Sequence, residues 1–203
     1  MASNIHMVWI FAIMMSGNML YSQTYKQKYP QGYILSHRGD TTYGFVRLGD
    51  NFKDQNKIRF YDQFGVKARY TADRLQGFGY EGKHYVSRQT PYLYSGLFSD
   101  TVMFMQRVCD GPAKLFRFFT RKSVFTLKKG PAYVEYLEKP DGSVHEVSLV
   151  FKWQRIANAF LDYPELAADI RNDRYKPEDM EKIVDAYNRW FQRHGRTIRK
   201  KKK

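Results

Sequence analysis

From Gly32 to about Val150, apolar and polar residues alternate in short runs broken by turn residues, the two-residue period of strands with one buried face. Five hairpins follow from it. Residues 33–35 and 43–48 flank Arg38-Gly39-Asp40-Thr41, and residues 57–61 and 66–70 flank Gln63-Phe64-Gly65. Residues 78–80 and 83–86 sit on either side of Glu81-Gly82, and residues 102–108 and 114–119 flank Asp110-Gly111-Pro112. The clearest hairpin joins residues 132–137 to 144–150 through Pro140-Asp141-Gly142, because proline presets φ and glycine accepts the positive φ of a tight turn.

Past residue 150 the period changes. Trp153, Ile156, Ala157, Phe160 and Leu161 recur at helical spacing. Asp162-Tyr163-Pro164-Glu165 then reads as an acidic cap, a proline in the first turn and a glutamate three residues after the cap, with Leu166, Ala167 and Ile170 lining the helix it starts. Pro177-Glu178-Asp179 opens a third helix, its acids placed where the helix dipole favours them. Its apolar stripe is Met180, Ile183, Val184, Tyr187, Trp190 and Phe191, and Glu178 with Lys182 and Asp185 with Arg189 are spaced to pair on its outer face. The fold class expected is α+β, an antiparallel β-rich body (a meander or partial barrel) followed by three short C-terminal α-helices. The organisation expected is a single domain over 32–195, β-rich over 32–150 and helical over 152–194, preceded by a short segment over 23–31.

Residues 7–15 form an uninterrupted apolar run of nine, too short to span a bilayer as a helix, which takes roughly 20 residues. Ser16, Gly17 and Asn18 break it, and Leu20-Tyr21-Ser22-Gln23 places a small residue before a potential cut. Residues 1–22 therefore read as a secretory signal peptide cleaved between Ser22 and Gln23, although they contain no Lys or Arg. Cys109 is the only cysteine, so no intramolecular disulfide can form and stability must come from the core.

Composition sharpens this picture in two ways. Sixteen Tyr and fifteen Phe favour pleated, half-buried surfaces. The net charge of +14 is unevenly spread: after Gln192 there are seven basic residues and no acid, Arg193, Arg196, Arg199, Lys200, Lys201, Lys202 and Lys203, so half the excess lies in the last eleven residues. Such a block repels itself, and residues 196–203 are expected to be a disordered basic tail. Its chemistry suits weak, salt-sensitive adhesion to a polyanion: anionic lipid, lipopolysaccharide or an acidic cell-wall polymer.

Other signals are weaker. Thr42-Tyr43-Gly44-Phe45-Val46-Arg47-Leu48 partly matches the base-stacking strand of RNA-recognition motifs, which with the positive charge makes nucleic-acid binding the rival function. It lacks the leading basic residue and the last aromatic, and only another strand precedes it. Arg38-Gly39-Asp40 spells an adhesion tripeptide that is equally ordinary turn chemistry. His6, His37, His84, His145 and His194 show no metal spacing, and no phosphate loop, nucleophile elbow or cofactor motif occurs. No catalytic, cofactor-binding or metal residue is singled out, which leaves a hydrolase without a local motif as a further alternative. Aromatic β-faces of this composition can also stack on glycans or pair with peptides.

The opening Gly32-Tyr33-Ile34 with Gly39-Asp40-Thr41 and Gly44, and the closing Asp162-Tyr163-Pro164-Glu165-Leu166 with Ile183-Val184 and Tyr187-Asn188, resemble small secreted proteins of unknown function from Bacteroidota-type Gram-negative bacteria. The likeness covers most of the chain after residue 22. It implies export to the periplasm or cell surface and brings no catalytic residues.

Overall fold

Each of the five anticipated turns closes a hairpin. In the tightest, Glu81 and Gly82 both have positive φ (46° and 74°), the mirror-image turn whose twist matches that of the strands it joins. The computed structural model describes residues 25–47, 49, 54–89, 102–120, 132–147 and 153–201; the expected signal peptide over 1–22 lies outside them. Among the described residues there are ten strands: β1 (Gln31–Leu35), β2 (Thr41–Arg47), β3 (Lys57–Asp62), β4 (Lys67–Thr71), β5 (Gly77–Tyr80), β6 (Lys83–Gln89), β7 (Val102–Cys109), β8 (Lys114–Thr120), β9 (Ala132–Glu138) and β10 (Val144–Val147). The strands pair antiparallel. A 3-10 helix (Trp153–Phe160), α1 (Pro164–Arg171), a 3-10 turn (Pro177–Asp179) and α2 (Met180–Lys201) follow. The protein is therefore α+β, antiparallel strands first and helices last.

The chain divides into two compact units, 1–104 and 105–203, with the boundary inside β7 rather than at the change from strand to helix near residue 150. In the first unit the order is β4-β3-β2-β1-β5-β6. Here β1 is flanked on both sides, by its hairpin partner β2 and by β5, a pairing that no local turn dictates. One face of these strands buries Ile34, Val46, Ile58, Phe60, Phe78 and Tyr80. At its centre Phe78 stacks on Tyr85 (centroids 4.5 Å, 1° between planes) and meets Phe104 edge-on at 4.9 Å. The aromatic excess thus becomes core packing, and offset or edge-on pairs add about 0.5–1.5 kcal/mol each beyond area burial.

In the second unit β7-β8-β9-β10 form a meander. Leu115, Leu137 and Val147 pack with Ile156, Phe160, Leu166, Ile170, Ile183, Val184 and Tyr187, all buried. Polar groups fix where α2 lies. Asn188, 6% exposed, accepts from Ala113 N (2.7 Å) and donates to Ala113 O (2.9 Å) at the β7–β8 turn. Arg117 on β8 bonds Glu135 on β9 (2.6 Å) and Glu181 on α2 (3.2 Å), with its guanidinium 4.3 Å from the centre of the Tyr133 ring.

The helical region departs from expectation in four respects. The stripe at Trp153–Phe160 is wound as a 3-10 helix, and the three-residue turn brings Ala159 into the buried set beside Ile156, Ala157 and Phe160. Asp162 does not cap α1: the N-cap is Tyr163, without a side-chain cap bond, and Pro164 starts the helix. The last helix is 22 residues long rather than short, and its backbone stays helical through Lys201 where the tail was expected to be disordered from residue 196. Lys182 pairs with Asp179, three residues back at 2.7 Å, in a turn where Asp179 also accepts from Lys176 N.

Candidate anion-binding end of the last helix

Helix α2 is bound to the second unit through about three turns and then runs on. Met180, Ile183, Val184 and Tyr187 are fully buried, Trp190 and Phe191 are half-buried, and Gln192, Arg193 and His194 are exposed. The transition is built around one ring. Trp190 stacks on Tyr163 from the segment before α1 (4.7 Å, 4° between planes) and on His194 one turn later (5.6 Å, 26°). His194 is held by a 3.0 Å contact between its Nδ1 and the carbonyl of Trp190. Around this stack lies a shallow hollow of about 480 Å³, lined by Tyr163, Glu165, Ala186, Arg189, Trp190, Arg193 and His194.

The helix gives the basic residues a direction. At 100° per residue, positions 189, 193, 196 and 200 fall in one row within about 60° of arc, adjoining the row that carries Trp190 and His194. Of the residues that sequence singled out, Arg193 lines the hollow. Arg196, Arg199, Lys200 and Lys201 lie on the helical backbone, with side chains outside the described residues; Lys202 and Lys203 lie outside them entirely. Sequence reading missed Tyr163, Arg189, Trp190 and His194. The signal is present, since Trp190 with His194 and Arg189 with Arg193 recur four apart, but the helical stripe equally claims Trp190 for the core.

A second cluster lies in the same unit. Lys139, just after β9, is only 5% exposed at its side chain, and its ammonium bonds Asp162 Oδ1 at 2.8 Å. It sits 3.6 Å from the centre of the Tyr187 ring and 5.1 Å from that of Phe160. Tyr187 donates its hydroxyl to Asp162 Oδ2 at 2.5 Å. Burial lowers the lysine pKa against the pull of Asp162, and burial together with that hydrogen bond raises the tyrosine pKa. A cleft of about 440 Å³ beside them includes Asp141, Ser143 and His145. Ser143 Oγ lies 3.2 Å from His145 Nε2, a separation that suits a nucleophile and base, but the hydroxyl donates to Asp141 Oδ1 at 2.7 Å. With its one proton committed, Ser143 can only accept from His145, the reverse of nucleophile activation. The cluster joins the β9–β10 turn, the end of the 3-10 helix and α2. Its members are far apart in sequence, so no motif announced it.

Among the described residues, no group of three or more His, Cys, Asp or Glu is arranged to hold a metal ion, and no helix is long and apolar enough to cross a membrane. The class defined is an α+β protein with a helix that leaves its core through an aromatic stack into a run of basic residues. No family model matches the chain, and no curated protein or solved structure is significantly similar to it.

Proposed function

We propose that this protein is an exported, non-catalytic component of a Gram-negative cell envelope that holds to anionic lipid surfaces through the end of α2. The observation that carries the reading is the continuity of that helix: the exposed Arg193 beside the stacked Trp190 is followed in the same helix by the basic run to Lys201. A helix ending of this kind suits the membrane interface, where an indole lies at headgroup level and cations meet phosphate. Each basic residue near an anionic leaflet contributes about 1 kcal/mol, so the attachment is cumulative and salt-sensitive. Export rests on the apolar run over residues 7–15 and on the resemblance to small secreted proteins, both features of the sequence.

The test compares the chain with a version ending at Gly195, on vesicles of zwitterionic lipid with and without phosphatidylglycerol, from about 20 mM to about 0.5 M NaCl. The intact chain should sediment with anionic vesicles at low salt and release as salt rises, and the shortened chain should bind at least tenfold more weakly. Equal binding by both forms removes the reading. For export, native material should begin at Gln23 and fractionate with the envelope. Material that begins at Met1 or Ala2 and sediments with ribosomes transfers the basic tail to the nucleic-acid reading.

A further inference from the structure

The first unit carries a site of different chemistry. Tyr43 on β2 stands opposite Tyr33 on β1, Tyr33 opposite Gly79 on β5, and Gly79 opposite His84 on β6. Residues directly opposite share a face, so these four make one row across four strands, on the side opposite the buried Ile34, Val46 and Phe78. Gly79 lets the row lie flat: a Cβ there would sit 2.6 Å from Cε1 of Tyr33, so the tyrosine ring lies across the glycine. Its hydroxyl is held 2.7 Å from His84 Nδ1. Tyr43 meets Tyr33 at 6.4 Å and 61° and leaves 74% of its own surface in water.

A ring laid flat and hydrogen-bonded, beside a second ring that the fold leaves exposed, is a pre-organised surface rather than an accident of packing. The concavity over it is about 430 Å³, within the roughly 300–1,000 Å³ of small-molecule sites. Its polar wall comes from Gln31, Gln63 and His84, and its lining contains no Asp, Glu, Lys or Arg in a chain that is 27% charged. An anion finds no counter-charge there. A peptide strand finds no free edge either, because β1 is flanked on both sides. What fits is an uncharged ring with one apolar face and hydroxyls at its rim.

We propose that this face binds a neutral oligosaccharide, one pyranose ring stacking on the exposed Tyr43 and meeting the tilted Tyr33 ring at its edge, while its hydroxyls reach Gln31, Gln63 and His84. The site is independent of the basic helix end and stands or falls separately from it. Cellotetraose and tetra-N-acetylchitotetraose are the probes, titrated into the full chain by calorimetry with the His84 imidazole followed by NMR. At least one should bind, with a dissociation constant of roughly 1 mM, and shift the His84 signals. Tyr43→Ala, at an exposed position, should leave the far-ultraviolet dichroism unchanged and weaken binding at least tenfold; Tyr33→Phe keeps the ring and should weaken it by less. The chain ending at Gly195 should bind the sugar as the intact chain does. Failure of both probes to bind or to move His84, or unchanged affinity in a folded Tyr43→Ala, overturns the proposal.

Discussion

Replacing Asp162 by asparagine tests what holds the β9–β10 turn to α2. Asp162→Asn keeps size and one acceptor for the Tyr187 hydroxyl but removes the charge facing Lys139. The ammonium, 5% exposed, then lies over two rings without its carboxylate. Breaking a buried pair from one side costs about 3–5 kcal/mol; Asp162 is itself 34% exposed, so screening reduces the expected loss to about 2–4 kcal/mol. Deprotonating Lys139 instead costs about 5 kcal/mol at neutral pH, an upper bound on the penalty. Lys139→Met should cost far less, because a thioether suits the space between Phe160 and Tyr187 while the Asp162 carboxylate, about a third exposed, keeps water and the tyrosine hydroxyl. The double variant should regain most of what Asp162→Asn loses. Burial holds the folded lysine pKa below its unfolded value, so stability rises as pH climbs toward the unfolded value, and the deficit of Asp162→Asn should narrow between pH 7 and 10. Urea unfolding at equal m-values measures all three. A Lys139→Met variant as unstable as Asp162→Asn refutes the reasoning, since the buried charge would not be the source of the cost.

Asn188→Ala leaves the amide and carbonyl of Ala113 buried without their side-chain partner and should cost about 2–4 kcal/mol in the same assay. Cys109 is buried, and burial pushes its thiol from 9.0 up to about 12. The unfolded chain ionises first, so the contribution is complete below pH 9 and is lost as pH rises toward 12, at about 1.4 kcal/mol per pH unit; Tyr187 adds the same sign at higher pH. Cys109→Ala should therefore shift the slope of stability against pH upward between pH 9 and 10, and equal slopes in both proteins contradict the assignment. Gly79→Ala should displace the Tyr33 ring and break its bond to His84, seen as a changed imidazole spectrum at a stability cost of about 1–3 kcal/mol.

What was legible in the sequence is what local chemistry writes there. Gly142 after Pro140-Asp141, and Gly82 after Glu81, mark their turns, because few residue types other than glycine tolerate the positive φ they adopt, and the two-residue period then sets which face is buried. The β1–β5 pairing was not legible, because it joins strands whose turns both point elsewhere. Asp162 shows the same limit at one residue. Its place before a proline reads as a helix cap, yet Lys139 and Tyr187 claim its carboxylate from 23 and 25 residues away, and a buried ammonium outweighs a cap worth about 1 kcal/mol. The basic end of α2 was visible as composition, but its direction was not. Only the helix turns a charge run into a row beside an aromatic stack.

The division of labour along α2 separates the proposed anion-binding row from the residues that hold the fold. The bonds that anchor the helix come from Glu181, Tyr187 and Asn188, and its buried apolar contacts end with Trp190 and Phe191. The two described side chains past Gln192, Arg193 and His194, are exposed and add little to the core. Seven cations in eleven residues repel one another, a cost that grows as salt falls. An anionic surface reverses the sign of that interaction, since phosphates placed between the cations turn repulsion into attraction. The same residues that repel one another in dilute solution should hold the end of α2 more firmly at an anionic membrane, and amide exchange in its last turns should slow on vesicle binding in proportion to the charge neutralised.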